Sequence, residues 1–186
     1  MRLKALLGAA AGVLALAAMA TPASANEWYG RVDTGQAMNN QLSNGSYGIE
    51  LPDGDVISAG VGTRLDAFPA VRLEGEVAHS SADLLGASID DTSVNANAYY
   101  DFNRSGRIQP YLTAGAGWGS TEISSGGLSE DGQGFQYNVG AGVGYALNEH
   151  VTLDGRVRYE DGERDFGSFG DLDRDATVAT IGVRLS

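Results

Sequence analysis

The sequence predicts an all-β chain: an eight-stranded antiparallel up-and-down barrel that crosses a membrane and has a filled lumen. Three observations carry this expectation. Eight segments alternate in polarity every second residue, the side-chain period of a β-strand. The connections between them are alternately short and long, as in a barrel with tight turns at one end and loops at the other. The charged residues of the segments share one face, while the aromatic residues of the opposite face collect at strand ends.

Residues 1–25 stand outside this pattern. "MRLKALLGAAAGVLALAAMATPASA" starts with Arg2 and Lys4, continues as apolar or small residues from Ala5 to Ala20, and ends in Ala23-Ser24-Ala25. That is the layout of a cleaved secretory signal peptide, and the run is shorter than the roughly 20 residues a spanning helix needs. Residues 26–186 are then one barrel domain beginning at Asn26. That part has ten arginines, no lysine and 24 acids, a net −14, which argues against nucleic acid as a partner. Cysteine is absent, so disulfides and thiolate metal sites are excluded. No later stretch resembles a hydrophobic helical span. Entry into a membrane must therefore use a closed barrel, which also satisfies every backbone group in lipid.

The strands follow in order. Segment 28–37 sets Val32 and Thr34 against Arg31 and Asp33. Segment 56–65 sets Ile57, Ala59 and Val61 against Gly60, Gly62 and Arg64. In 70–81, Val71, Leu73 and Val77 oppose Arg72, Glu74 and Glu76. In 92–102, Val94, Ala96 and Ala98 lie opposite Asp101. Segment 108–121 pairs Leu112, Ala114 and Ala116 with Gly115, Gly117 and Gly119 on its other side. Segment 133–147 does the same with Val139, Ala141 and Val143 against Gly140, Gly142 and Gly144. In 151–160, "VTLDGRVRYE", Val151, Leu153 and Val157 oppose Asp154, Arg156, Arg158 and Glu160. Segment 176–186 closes with Ala179, Ile181, Val183 and Leu185 against Arg184. Short turns at 66–69, 103–107 and 148–150 alternate with long connections at 38–55, 82–91, 122–132 and 161–175, rich in Gly, Ser, Asn and Asp. With those boundaries the aliphatic face carries no charge, and Asp55, Asp161 and Asp175 fall in loops.

Parity alone leaves open which face is inside. The charged face holds Arg31, Arg64, Arg72, Arg156, Arg158 and Arg184 with Asp33, Glu74, Glu76, Asp101, Asp154 and Glu160. This balance suits charges that must cancel in a confined space, since a lone buried charge costs several kcal/mol. The aromatic residues decide the orientation. Trp28, Tyr100, Phe102 and Tyr145 lie toward the short turns, and Trp118, Phe135, Tyr137 and Tyr159 toward the long loops. Two girdles around an aliphatic belt fit lipid, because Trp and Tyr favour the headgroup boundary. The charges therefore point inward, and the inward glycines make room for them in a lumen just wide enough for side chains. Tyr29, Tyr99 and Tyr111 plug the short-turn end, so a filled lumen is expected rather than an open pore.

"IQPYLTAGAGWG" (108–119), "FQYNVGAGVGYALNEHVTLDGRVRYE" (135–160) and "ATIGVRLS" (179–186) resemble the small outer-membrane β-barrel family of Gram-negative bacteria, which includes opacity-type surface antigens and the barrel domain of OmpA-like proteins. The resemblance spans about the last 80 residues well and the rest loosely. It implies location in the cell outer membrane and insertion by the barrel-assembly machinery, which reads the last strand. Family members usually end in an aromatic residue, whereas this chain ends Leu185-Ser186. The family has no shared catalytic residues to carry over.

Other motifs have ordinary readings. "GAGVG" lacks nucleotide-loop spacing and fits strand glycines. His79, Ser80, Ser81 and Asp83 raise the idea of a lipid A hydrolase, but a strand-end histidine beside loop serines is the simpler reading. Asp171, Asp173 and Asp175 have the spacing of a calcium loop without its glycine or distal glutamate. No catalytic, cofactor-binding or metal-binding residue is assigned. The expected protein is a non-enzymatic, monomeric surface protein, serving envelope structure or surface interaction through acidic loops. Its surroundings are outer-membrane lipid and lipopolysaccharide. A narrow solute channel, a lipid A hydrolase and a soluble exported barrel holding an apolar ligand are the alternatives.

Overall fold

A computed structural model of the chain describes residues 27–43, 48–50, 53–84, 87–125, 128–165 and 171–186. The signal-peptide reading of residues 1–25 lies outside the described residues. The strands are β1 (Trp28–Ser43), β2 (Gly48–Glu50), β3 (Gly54–Arg64), β4 (Val71–Leu84), β5 (Ala87–Asp101), β6 (Ile108–Ser125), β7 (Leu128–Ala146), β8 (Val151–Asp165) and β9 (Asp171–Leu185). Eight of these, β1 and β3 to β9, form the wall. Each pairs antiparallel with the next, and β1 pairs with β9 to close the ring. β2 is a three-residue return strand on the far end of β1. On the closing seam the register shifts between Met38 and Gln41, which marks a bulge. The predicted eight-stranded closed antiparallel barrel is the observed fold.

The short-turn ends lie within about a residue of the sequence expectation, because turn residues there coincide with the edge of the apolar belt. The other ends do not. Most of the predicted long connections 38–55, 82–91, 122–132 and 161–175 is strand: β1 continues to Ser43, β4 to Leu84, β6 to Ser125 and β8 to Asp165. The physical reason is loss of contrast. Beyond the belt the outward face meets water instead of lipid and becomes as polar as the inward one, so polarity stops alternating, while backbone pairing continues up to Ser125↔Leu128 and Asp165↔Asp171. Asp55, Asp161 and Asp175, placed in loops by the sequence reading, are strand residues on the outward face. The calcium-loop spacing of Asp171, Asp173 and Asp175 is strand alternation within β9.

Candidate functional site: the lumen and the outer collar

Strand parity sends the charges inward. Arg31, Asp33, Arg72, Glu74, Glu76, Asp101, Asp154, Arg156, Arg158, Glu160 and Arg184 are buried, while Arg64 is partly exposed at the short-turn rim. Outward lie the aliphatic side chains, with Val32, Val94 and Ile181 more than half exposed. All eight ring residues named for the girdles, Trp28, Tyr100, Phe102, Tyr145, Trp118, Phe135, Tyr137 and Tyr159, are exposed on that same side.

The lumen is organised in three levels. At the short-turn end Arg72 grips Asp101 with two bonds, Nε to Oδ2 at 2.9 Å and Nη2 to Oδ1 at 2.8 Å. Its guanidinium also lies 4.6 to 5.4 Å from the ring centroids of Tyr29, Tyr99 and Tyr111, within cation–π range. Arg64 adds a second cation on Asp101 at 3.0 Å. Tyr111 donates to Asp154 at 2.5 Å, and Arg184 donates to Gln109 at 2.7 Å.

The middle level centres on Glu76. It accepts from Arg31 at 2.7 Å, from Arg156 at 2.9 Å and from Arg158. Arg31 also donates to Glu74 at 2.7 Å and sits 3.1 Å from Asp33. Tyr99 links the two levels, donating to Glu74 at 2.8 Å and accepting from Arg156 at 2.9 Å. Arg158 further pairs with Glu160 at 2.5 Å.

The third level was missed by sequence reasoning. Asp91, Arg164 and Arg174 are buried inside the barrel, although the sequence reading put them in loops. Asp91 accepts from Thr121 at 2.6 Å and from Arg164 at 3.4 Å, with Arg174 at 3.8 Å. Burial alone would raise its carboxyl, but Arg174 and Arg164 hold it below the usual carboxylate range. Continuing the inward parity of β5, β8 and β9 past the belt would have found all three. Between this level and the middle one, Ala37, Val56, Ala176 and Val178 form an apolar patch inside the wall. A void of about 10 Å³ beside it is room for about one water.

Inward glycines let side chains reach over a neighbouring strand. Across β6, Asn138 donates to Asn97 over Gly115 at 3.0 Å, and Gln136 donates to Asn95 over Gly117 at 2.9 Å. One step further Arg164 donates to Gln136 at 2.6 Å over Gly119. Elsewhere Gly60 receives Glu74, Gly62 receives Tyr29 and Gly142 receives Tyr111. Seven arginines and seven acids are thereby buried together, and paired burial of that kind avoids the cost of lone charges.

His79 lies on the outward face, part-exposed, with Nδ1 3.0 Å from the Thr92 hydroxyl and Nε2 3.8 Å from Asp90. Ser81 stands one outward position further along β4, paired with Asp55 and Asp90. Past the girdle residues Trp118, Phe135, Tyr137 and Tyr159, the outward side of the wall carries Asp55, Glu122, Asp131, Asp161, Glu163 and Asp173. Among the described residues no arginine joins them there, since Arg164 and Arg174 face inward. This acidic collar is the visible part of what the sequence reading assigned to loops; residues 44–47, 51–52, 85–86, 126–127 and 166–170 lie outside the described residues.

Comparison with known proteins gives a family and a set of similar folds. Residues 8–186 match the family described as outer membrane protein β-barrel domain. The chain is 28% identical over 78 residues to the outer membrane protein PagN of Salmonella typhimurium, covering 37% of this chain and 33% of that protein. It thus spans about a third of the curated relative it matches. Neisserial surface protein A (NspA) has a similar structure, with TM-score 0.71 and 19% identity over 87% of this chain and 99% of that one. So does Ail, the attachment invasion locus protein of Yersinia pestis, with TM-score 0.53 and 19% identity over 85% and 99%. A further Ail structure holds the heparin analogue sucrose octasulfate.

Proposed function

Because the chain belongs to the outer-membrane protein β-barrel domain family, we propose that it is a non-enzymatic surface protein of the outer membrane that acts through its acidic collar. The protein resides in the cell outer membrane, where the short turns of such barrels face the periplasm and the long connections the exterior. Export by a signal peptide cleaved after Ala25, insertion by the barrel-assembly machinery and a monomeric state in a surround of lipid and lipopolysaccharide are part of the same proposal.

The observation that carries it is the division of charge. The lumen is braced shut by arginine–carboxylate pairs, so it offers no route for solute, whereas the outward wall above the girdle bears acids without arginines among the described residues. A surface of one sign attracts partners of the other and repels like charge. The collar therefore favours basic partners, such as cationic peptides or basic protein surfaces. It disfavours a sulfated polyanion of the kind bound to Ail.

Protein in neutral lipid nanodiscs should bind fluorescent polylysine, more weakly as salt rises, and should not bind heparin. Changing Asp161, Glu163 and Asp173 together to the corresponding amides should weaken polylysine binding. Heparin binding, or polylysine binding indifferent to these changes, refutes the collar reading. Steady conductance steps in a planar bilayer refute the closed lumen and favour the channel instead.

A further inference from the structure

Eight arginines of the described residues point into the barrel, and the remaining two, Arg104 and Arg107, share one tight turn between β5 and β6. Both are exposed and neither guanidinium has a partner among the described residues. The turn that displays them is stiff. Asn103 donates to the Ile108 carbonyl and accepts from the Gly106 amide, both at 3.1 Å, and Gln109 donates to the carbonyls of Arg104 and Gly106 at 3.3 and 3.2 Å. The flanking side chains, Phe102 and Ile108, are exposed on the outward face, and Phe102 packs edge-on against Tyr100. The two cations thus sit at the periplasmic headgroup level, just beyond the inner aromatic girdle.

Above this turn the same wall is hollow. A depression of about 440 Å³ has Gly75, Ala96, Ala98 and Ala114 as its floor and Trp28 and Leu73 at its edge. Ala98 and Ala114 are register partners on β5 and β6, and Gly75 pairs with Ala96. Of the three strands that floor the depression, β5 and β6 run down to the turn that holds Arg104 and Arg107. Three strand residues carry β5 from Ala98 to its end at Asp101, about 10 Å at about 3.3 Å per residue, and the turn holding Arg104 and Arg107 follows directly. A long arginine side chain shortens that gap by bending back toward the membrane surface. An apolar trough leading to paired cations matches a molecule with a hydrocarbon tail and a phosphate head. The trough lies within the belt, so hydrocarbon is the medium that meets it.

We propose that this wall binds one anionic phospholipid of the inner leaflet, with its phosphate on Arg104 and Arg107 and one acyl chain in the depression over Gly75, Ala96, Ala98 and Ala114. Guanidinium groups suit this head because each can offer a phosphate two parallel N–H donors. The tail adds position rather than sign, and small residues in the floor let it lie against the backbone.

The test uses the protein as it is isolated from the outer membrane, with native mass spectrometry after reconstitution in equimolar phosphatidylglycerol and phosphatidylethanolamine. A basic residue at an anionic surface is worth about fivefold in affinity, so the pair should give roughly a 25-fold preference for phosphatidylglycerol. Arg104→Ala with Arg107→Ala should bring that preference close to one while leaving tail-dependent retention of phosphatidylethanolamine. Gly75→Leu should fill the trough and lower retention of both lipids at least fivefold; Ala98→Leu repeats the test at a second floor position. A Cβ at Gly75 meets nothing within 4 Å, and the same holds at Gly155 on the opposite side of the barrel. Gly155→Leu is therefore the matched control and should change nothing. Equal retention of both lipids by the wild type, a preference that survives loss of both arginines, or equal effects of Gly75→Leu and Gly155→Leu would each overturn the proposal.

Discussion

Replacing Gly115 with alanine should cost about 2–3 kcal/mol, although alanine is the better strand residue. A Cβ at this position would lie 2.0 Å from Asn97 Oδ1, 2.9 Å from Asn138 Nδ2 and 2.8 Å from the Ala96 carbonyl oxygen. The first two atoms are the acceptor and donor of the bridge across β6. The remaining amide atoms, Asn97 Nδ2 and Asn138 Oδ1, have no hydrogen-bond partner, so this bridge is what the pair has. Losing a net hydrogen bond removes about 0.5–1.5 kcal/mol, and stranding a buried polar group costs about 1–3 kcal/mol. Relief from a strand glycine returns only about 0.5–1 kcal/mol. Urea unfolding in lipid vesicles, followed by tryptophan fluorescence and heat-modifiable gel migration, reads the difference. Gly155→Ala is the control, expected to be neutral or slightly stabilising because its Cβ points into open space. Asn97→Ala should partly rescue Gly115→Ala, with a coupling of about 1 kcal/mol or more in a double-mutant cycle. Equal shifts for the two glycines, or no coupling to Asn97, would refute the idea that inward glycines exist to let neighbours reach across.

Three further outcomes follow from the same geometry. Glu76→Ala leaves Arg31, Arg156 and Arg158 without a shared acceptor and should destabilise by about 3–5 kcal/mol in the same unfolding assay; a loss below about 1 kcal/mol would show that the middle level does not hold the barrel. Ala141→Arg, on the exposed face of β7 between Tyr145 and Tyr137, should cost about 2–4 kcal/mol in a bilayer and far less in a soluble setting. The Asp91 carboxyl is held low in the folded protein by Arg174 and Arg164. Its stabilising contribution is therefore complete above the unfolded carboxylate value of about 3.9 and fades as the pH falls through the lower folded value. Amide exchange at the outer ends of β4 and β5 should stay slow at pH 5 and quicken only below about pH 4, and quickening already between pH 7 and 5 contradicts that sign.

The membrane-spanning part of the barrel was legible because lipid enforces a rule at every position there. Val157 must face out if Arg156 and Arg158 face in, and a shift of one residue would reverse the whole strand. The same rule placed Glu74 and Glu76 inside from parity alone. It could not say that Glu76, rather than Glu74, gathers three arginines, because that depends on how far each strand is staggered around the ring. Nor could it find Asp91, Arg164 and Arg174. Their segments lie above the belt, where outward positions such as Asp161 and Asp173 are as polar as inward ones. Parity there still holds, but nothing in composition marks it. The three outward glycines Gly30, Gly75 and Gly155, where a Cβ would meet nothing within 4 Å, show the same limit. A glycine's chemistry does not reveal whether it makes room for a neighbour inside or leaves a hollow outside.

The use of arginine rather than lysine inside the barrel has a physical basis in the width of the lumen. Glu76 stands on β4, and Arg156 and Arg158 on β8, four strands away around a ring of eight and so on the opposite wall. A side chain spanning that gap must satisfy several acceptors from one end, as Arg31 does with Asp33, Glu74 and Glu76. Guanidinium does this with five donors in a fixed plane; an ammonium is a compact, strongly hydrated point that is less suited to a dry space. The same pairs are struts across the bore. An ion or solute passing through would have to part Glu76 from arginines on both sides and leave buried charges unpaired, at several kcal/mol each. On the function proposed above, a barrel braced in this way trades conduction for stiffness and acts through its collar and outer wall.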